Sequence, residues 1–189
     1  KLSAAVDIRM EADVPVGIFL SGGIDSSAIA ALAVAAKHGE SVRTFSIGFE
    51  EPSFDESIYS DKVAQHLNTK HTREVLSLSR SIELLDSIYS RLDEPLADSS
   101  LIPTFLICQL AKNDVTVVLG GDGSDELFAG YDPFKALGYS RIYNRLIPGK
   151  LHNLIEGVAN KFPVSHKNMS LDFKLKKFIS GSGFKPYYR

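Results

Sequence analysis

With one cysteine, Cys108, among 189 residues, the chain can form no internal disulfide, and a lone thiol cannot build a cysteine zinc cluster. Cys108 lies in the apolar run TFLICQL and reads as a small core residue. No apolar stretch reaches the roughly 18 residues of a membrane span, and the opening KLSAAVDIRMEADVP lacks the tripartite pattern of a secretion signal. A cytoplasmic setting is therefore expected, in which the glycosylation-like triplet Asn168, Met169, Ser170 has no meaning. Charge of one sign is also missing. The 21 Lys and Arg against 23 Asp and Glu leave a net charge of -2, so composition does not call for a nucleic-acid partner. Internal repeats and low-complexity tracts are absent as well.

A chain of this length can bury roughly 70 % of its unfolded surface in one core. Runs rich in β-branched and aromatic residues recur at residues 16–20 (VGIFL), 42–49 (VRTFSIGF), 72–76 (TREVL) and 115–120 (VTVVLG), each predicting a strand. Between them lie helical stretches: SSAIAALAVAAKHG with Gly39 as its C-cap, ESIYSDKVAQHLN, SRSIELLDSIYSRL, and SSLIPTFLICQLAKND. Ser99 or Ser100 would cap the last of these, with Pro103 tolerated in its first turn. Alternating strands and helices predict an α/β fold, a parallel sheet of about five strands with helices on both faces and the first strand central. Beyond residue 131 the pattern changes to short helical pieces broken by Pro148, Gly149, Gly157 and Pro163. The tail from Lys161 to Arg189 carries seven Lys or Arg against one acidic residue, a surface for packing or for RNA. The expected organisation is a nucleotide-binding core over residues 1–131 and a helical extension over 132–189.

LSGGIDSS, Leu20 to Ser27, places two glycines, an aspartate and three hydroxyls where the first strand ends. In an open parallel sheet such a turn exposes free backbone N–H groups at the positive end of a helix, which suits a phosphate. Gly22 and Gly23 would let the backbone curl toward it, and Ser21, Ser26 and Ser27 would add donors. The alternative is a tight turn with a helix cap at Asp25 or Ser26. There is no Walker lysine and no GxGxxG after this strand.

These residues resemble the SGGxDS signature of the PP-loop ATP pyrophosphatases, whose fold is the adenine nucleotide alpha hydrolase-like parallel sheet. The resemblance narrows at residues 12–27 (ADVPVGIFLSGGIDSS), 44–57 (TFSIGFEEPSFDES) and 92–131 (LDEPLADSSLIPTFLICQLAKNDVTVVLGGDGSDELFAGY). Together these are similar to the synthetase domain of glutamine-hydrolysing asparagine synthetases. The resemblance implies ATP and Mg2+ as cofactors. It implies pyrophosphate held on residues 21–26 and adenosine framed by backbone near Phe19, Leu20, Ile47, Gly120 and Gly121. It further implies adenylation of a carboxylate, most naturally that of aspartate, followed by amide formation with ammonia from glutamine. A homodimer is compatible with it.

GGDGSDE, Gly120 to Glu126, repeats the strand, glycines and helix of the first loop, with carboxylates dominant. If the two strands are neighbours, Asp25 and Asp125 stand on adjacent turns, and two carboxylates beside a triphosphate suit magnesium; the resemblance implies the same two metal ligands. The alternative is that Asp122, Asp125 and Glu126 cap the next helix. The resemblance places Asp122 at the catalytic position, where a glutamate is common, and Gly120 where a serine is common. Aspartate is shorter by about 1.5 Å, which points to a deeper acceptor or to a different one. Asp55 and Glu56 either reach the phosphates or start a helix, and Asp93, Glu94 and Asp98 either contact the acceptor or precede one. His66 and His71 lack ligand spacing and read as surface or helix-end residues.

The family's catalytic N-terminal cysteine and downstream catalytic lysine have no counterpart here. The chain starts KLS, and Lys174, Lys176 and Lys177 belong to an unrelated basic stretch. The expectation is a segment of a longer protein, lacking an N-terminal glutaminase domain and a C-terminal segment, that by itself mainly binds ATP. A β-lactam-forming or sugar-amidating synthetase of the same family would keep both loops. A non-catalytic nucleotide-binding module would have less reason to retain the second.

Overall fold

The computed structural model describes residues 1–37, 41–165 and 170–183. The expected C-cap Gly39, the terminal KPYYR and most of the Asn168–Ser170 triplet lie outside them. The chain forms two compact units, Lys1–Asp122 and Gly123–Arg189.

In the first unit the element order is α1 (Leu2–Met10), β1 (Val16–Phe19), α2 (Ile24–Ala36), β2 (Arg43–Phe49), α3 (Ser57–Leu67), β3 (Lys70–Leu76), α4 (Leu78–Tyr89), α5 (Leu101–Ala111) and β4 (Val117–Leu119). The described strands form a four-stranded parallel sheet in the order β3-β2-β1-β4. Ile18 stands opposite both Thr44 and Leu119, so β1 is an inner strand as expected, in a sheet one strand smaller than expected.

Side-chain alternation divides the core between the two faces of the sheet. Ile18 and Leu20 meet Val6, Met10, Ala30, Ala33, Val42 and Ala64 from α1, α2, α3 and the start of β2 on one face. On the other, Phe45 packs with Ala111, Val115 and Phe19, while Ile47 and Phe49 join Leu76, Leu84, Ile88 and Leu106. Helices thus cover both faces. The α3 side of β2 is polar: Thr44 and Ser46 are fully buried and share hydrogen bonds with the two ring nitrogens of His71, at 2.8 Å and 3.0 Å.

Helix α1 has no counterpart among the elements expected from the sequence, and several local expectations change elsewhere. Helix α1 carries no clear apolar stripe, for Ile8 is 71 % exposed while Val6 and Met10 are buried. Ser100 makes no side-chain cap on α5; Asp98 Oδ1 accepts from Ser100 N at 2.8 Å instead. That contact holds the Asp98 carboxyl below its usual range and commits it to the turn. Cys108 is exposed rather than in the core, because Leu106, Ile107 and Leu110 take the sheet-facing positions of α5. It lies on the rim of an open cleft of about 410 Å³ with Lys112 and Thr116, and partial burial raises its thiol pKa, the reverse of an activated nucleophile. His66 ends α3 as expected, but His71 is a strand residue turned inward.

The second unit holds α6 (Ser124–Phe128), α7 (Asp132–Leu146), α8 (Gly149–Ala159) and α9 (Leu171–Ser182). Pro148 is the N-cap of α8, but Gly157 does not break that helix. Tyr143 bonds His152 Nδ1 at 3.1 Å and meets Phe178 edge-on, tying α7, α8 and α9 together. Lys176 donates to the Phe162 carbonyl at 2.9 Å, so one cation of the basic tail is spent internally.

His71 supplies a test. Burial lowers its pKa first; Asp61 at 3.6 Å opposes this, and Arg73 adds to the lowering. A folded-state pKa below the ordinary value of about 6.5 means that the neutral ring stabilises the fold. That stability is complete above about pH 6.5 and is lost as pH falls through the depressed folded pKa. In urea unfolding followed between about pH 8 and pH 5, His71→Gln should flatten this part of the profile; an unchanged slope would show that another group controls it.

Candidate functional site

The first loop takes its shape from its own hydroxyls. Ser26 Oγ is buried, accepts from Ser21 N at 3.2 Å, shares a 2.9 Å hydrogen bond with Ser21 Oγ and donates to the Gly23 carbonyl at 3.3 Å. Ser21 Oγ also accepts from Gly23 N at 3.3 Å. Ser21 and Ser26 therefore brace the turn through their hydroxyls. Ser27 Oγ is enclosed without a hydrogen-bond partner among the described residues. Gly23 is the N-cap of α2, with no side-chain cap from Asp25 or Ser26.

The glycines differ. Gly22 has φ +83°, in the left-handed region, and a Cβ there would lie 2.5 Å from Ser60 N and 2.6 Å from the Tyr59 carbonyl carbon. Gly23 has φ -69°, and a Cβ would meet only Ser21 Oγ, at 3.3 Å. The expected curl is thus concentrated at Gly22, which seats the loop on the backbone of α3.

Strand β4 pairs with β1, so the second glycine stretch lies beside the first. A Cβ on Gly121 would come within 2.9 Å of Ser26 N and 3.1 Å of Asp25 Cβ, which brings Gly121 onto the first turn of α2. A Cβ on Gly120 would lie 2.7 Å from Asp122 Oδ2, so a side chain at 120 would crowd that carboxylate. Phe19 and Leu20 give their side chains to opposite faces of the core, and Ile47 packs under α4 and α5, leaving their backbone at the carboxyl edge of the sheet. Phe19, Leu20, Ser21 to Asp25, Ser26, Gly120, Gly121 and Asp122 are thereby gathered at the ends of two adjacent strands, with Ile47 on the strand next to them.

The Asp25 carboxylate makes no hydrogen bond or ion pair among the described residues, and an uncommitted oxygen ligand at a helix start fits a hard cation beside phosphate. Asp125 belongs to the second unit. There its carboxylate lies against Gly130, where a Cβ would run into it, and Gly130 N donates to the Asp125 carbonyl at 3.0 Å. Glu126 accepts from the Tyr131 hydroxyl at 2.7 Å, which lowers its pKa. No acidic side chain caps α6, whose N-cap is Gly123.

Asp55 and Glu56 also separate. Asp55 accepts from Phe49 N, Ser57 N and Ser57 Oγ at 3.1–3.2 Å; the Ser57 N–H is the largest cause that lowers its carboxyl pKa. Glu56 is the exposed N-cap of α3 without a side-chain bond, and Asp93 and Glu94 are exposed loop residues.

Parallel sheet and glycine loops define an α/β protein of the PP-loop class. The solved glutamine-dependent NAD+ synthetase of Acinetobacter baumannii, in complex with adenosine diphosphate, shares the fold at a TM-score of 0.51 and 17 % identity, over 96 % of this chain and 42 % of that one. The chain belongs to the asparagine synthase family, whose model matches residues 1–182. It is 38 % identical over 167 residues to asparagine synthetase (glutamine-hydrolysing) 1 of Bacillus subtilis, covering 88 % of this chain and 26 % of that protein. It is 39 % identical over 160 residues to a putative asparagine synthetase (glutamine-hydrolysing) 2 of Methanocaldococcus jannaschii, covering 85 % and 30 %. The chain therefore spans about a quarter of the length of such relatives. No helix among the described residues is long and apolar enough to cross a membrane.

The two loop glycines should respond differently to the same change. Gly22→Ala meets helix backbone in a disfavoured conformation and should cost more than about 1–2 kcal/mol of stability, whereas Gly23→Ala should stay within about 1 kcal/mol. Equal urea midpoints for the two variants would contradict the assigned loop conformation.

Proposed function

We propose that the protein to which this chain belongs forms an amide at the expense of ATP, adenylating the side-chain carboxylate of aspartate and passing ammonia from glutamine onto it to give asparagine. One observation carries the reading: Gly121 rests on Ser26 N and Asp25 Cβ, so two glycine loops meet at the N-terminus of α2. Backbone N–H groups and the helix dipole there favour the phosphates of ATP.

In the first step a carboxylate oxygen attacks the α-phosphorus, and the bond to the bridging oxygen breaks, releasing pyrophosphate and leaving an acyl-adenylate. Residues 21–26 hold the departing pyrophosphate, and backbone at Phe19, Leu20, Ile47 and Gly121 frames the nucleoside. In the second step ammonia attacks the acyl carbon, AMP leaves, and Asp122 orients the nitrogen and accepts its proton. Asp25 would hold Mg2+, which when bound offsets charge on the phosphate oxygens. A cytoplasmic setting accords with these substrates.

A second reading keeps the chemistry and changes the acceptor. It is favoured by Asp122 with Gly120, since the shorter acid backed onto a glycine alters the reach of the site.

The full reading frame, supplied with ATP, aspartate and ammonia, should give AMP, pyrophosphate and asparagine in equal amounts. Asp122→Ala should lower the rate on the order of a hundredfold. Turnover with another carboxylate and none with aspartate would select the second reading; nucleotide binding without pyrophosphate release for any acceptor would reject both. The 189-residue segment alone should bind ATP yet make little asparagine, since a cationic donor at the α-phosphate is typically worth about a hundredfold or more. Full turnover by the segment would show the catalytic residues to be misassigned.

A further inference from the structure

We propose that Asp55 is a positioning residue for the phosphate loop, fixing the start of α3 so that the Tyr59–Ser60 backbone forms the wall on which Gly22 is seated. The inference rests on the reading of residues 20–27 as the loop that holds the phosphates of ATP.

The chain of contacts is short. Gly22 touches main-chain atoms of α3, which cannot rotate aside as a side chain can, so the loop goes where the helix goes. Helix α3 has no side-chain cap of its own. Its first turn is tied down by Asp55. Oδ1 accepts from Phe49 N at the end of β2 (3.2 Å) and from Ser57 N (3.1 Å), and Oδ2 accepts from Ser57 Oγ (3.1 Å). One carboxylate thus joins the strand beside β1 to the helix that faces the loop. Space for it is left by Gly48, where a Cβ would stand 3.2 Å from Asp55 Oδ1 and 3.3 Å from Ser57 Oγ. Arg73 of β3 completes the clamp, donating to Ser57 Oγ at 2.9 Å and to Asp61 Oδ2 at 2.6 Å. Both Asp55 oxygens are occupied by these donors, so Asp55 acts on the phosphates through α3 and does not meet them.

The test uses the full reading frame and compares Asp55→Ala, Asp55→Asn, Gly48→Ala and a core variant of the second unit, Ile179→Ala, at a buried position of α9. ATP affinity is read by calorimetry, stability by thermal unfolding, and KM separately for ATP and for the acceptor. Asp55→Ala should weaken ATP on the order of tenfold or more, raising KM for ATP and leaving KM for the acceptor unchanged. Asparagine can accept the same two backbone N–H groups through its Oδ1, so Asp55→Asn should recover most of the loss. Ile179→Ala should lower the melting temperature without weakening ATP. Gly48→Ala keeps every polar group and crowds the carboxylate, so it should weaken ATP at a melting temperature near that of the parent, even if Asp55→Ala fails to fold. ATP affinity within about twofold of the parent in Asp55→Ala or in Gly48→Ala would overturn the inference. So would a loss of equal size in Ile179→Ala. A parent protein that binds neither ATP nor pyrophosphate would instead overturn the phosphate-loop reading itself, and is recognisable because the defect precedes any substitution.

Discussion

Two contacts between backbone and backbone set the geometry on which the rest depends: Gly22 against Tyr59 and Ser60, and Gly121 against Asp25 and Ser26. Each is closer than a Cβ permits, so each demands glycine for reasons of space, and Gly22 demands it for its positive φ as well. The first joins segments roughly forty residues apart in the sequence, the second segments roughly a hundred apart. Parallel pairing of β1 with β2 and with β4 puts the strands' carboxyl ends on one edge of the sheet, and the glycines then close the remaining gap.

The strands and most helices of the first unit are legible because their signals are local. VGIFL, VRTFSIGF and VTVVLG can be read as strands without knowing their partners, and the strand-to-helix turn at LSGGIDSS follows from the same local reading. What escapes is whatever depends on a distant neighbour. Helix α1 has little periodicity, yet Val6 and Met10 find a place against Ala30 and Ala33. His71 shows no ligand spacing, but pairing with β2 turns it toward Thr44 and Ser46. Cys108 sits in an apolar run whose sheet-facing positions are claimed by Leu106, Ile107 and Leu110. The ambiguity at Asp55 could not be settled in one dimension either, since its second anchor, Phe49 N, is the end of a neighbouring strand.

The two faces of the sheet divide the work. Beneath α4 and α5 the contacts are apolar, while between β2 and α3 lies a polar layer of the buried Thr44, Ser46, Ser57 and Ser60 with the half-buried His71. Buried polar groups cost free energy unless paired, so such a layer tolerates few arrangements of its helix. An apolar interface of the same size would allow small slides of α3, and Gly22 would follow them. The polar layer therefore lies under the helix whose position matters most to the loop.

That arrangement also bears on how the loop can recognise an anion. Ser21 and Ser26 hold the turn through each other and through Gly23, so their oxygens are committed before any ligand arrives. On the proposed reading, recognition then falls to backbone N–H groups and to the N-terminal end of α2, donors that identify a phosphate by shape and charge and say nothing about what it is attached to. Selectivity for one acceptor has to come from elsewhere. On the proposed reading, the residue of the first unit best placed to contribute is Asp122, whose carboxylate rests over Gly120 instead of bracing a loop. The part of the site that is rigid and internally bonded suits a reaction class, and the part that is free suits a substrate.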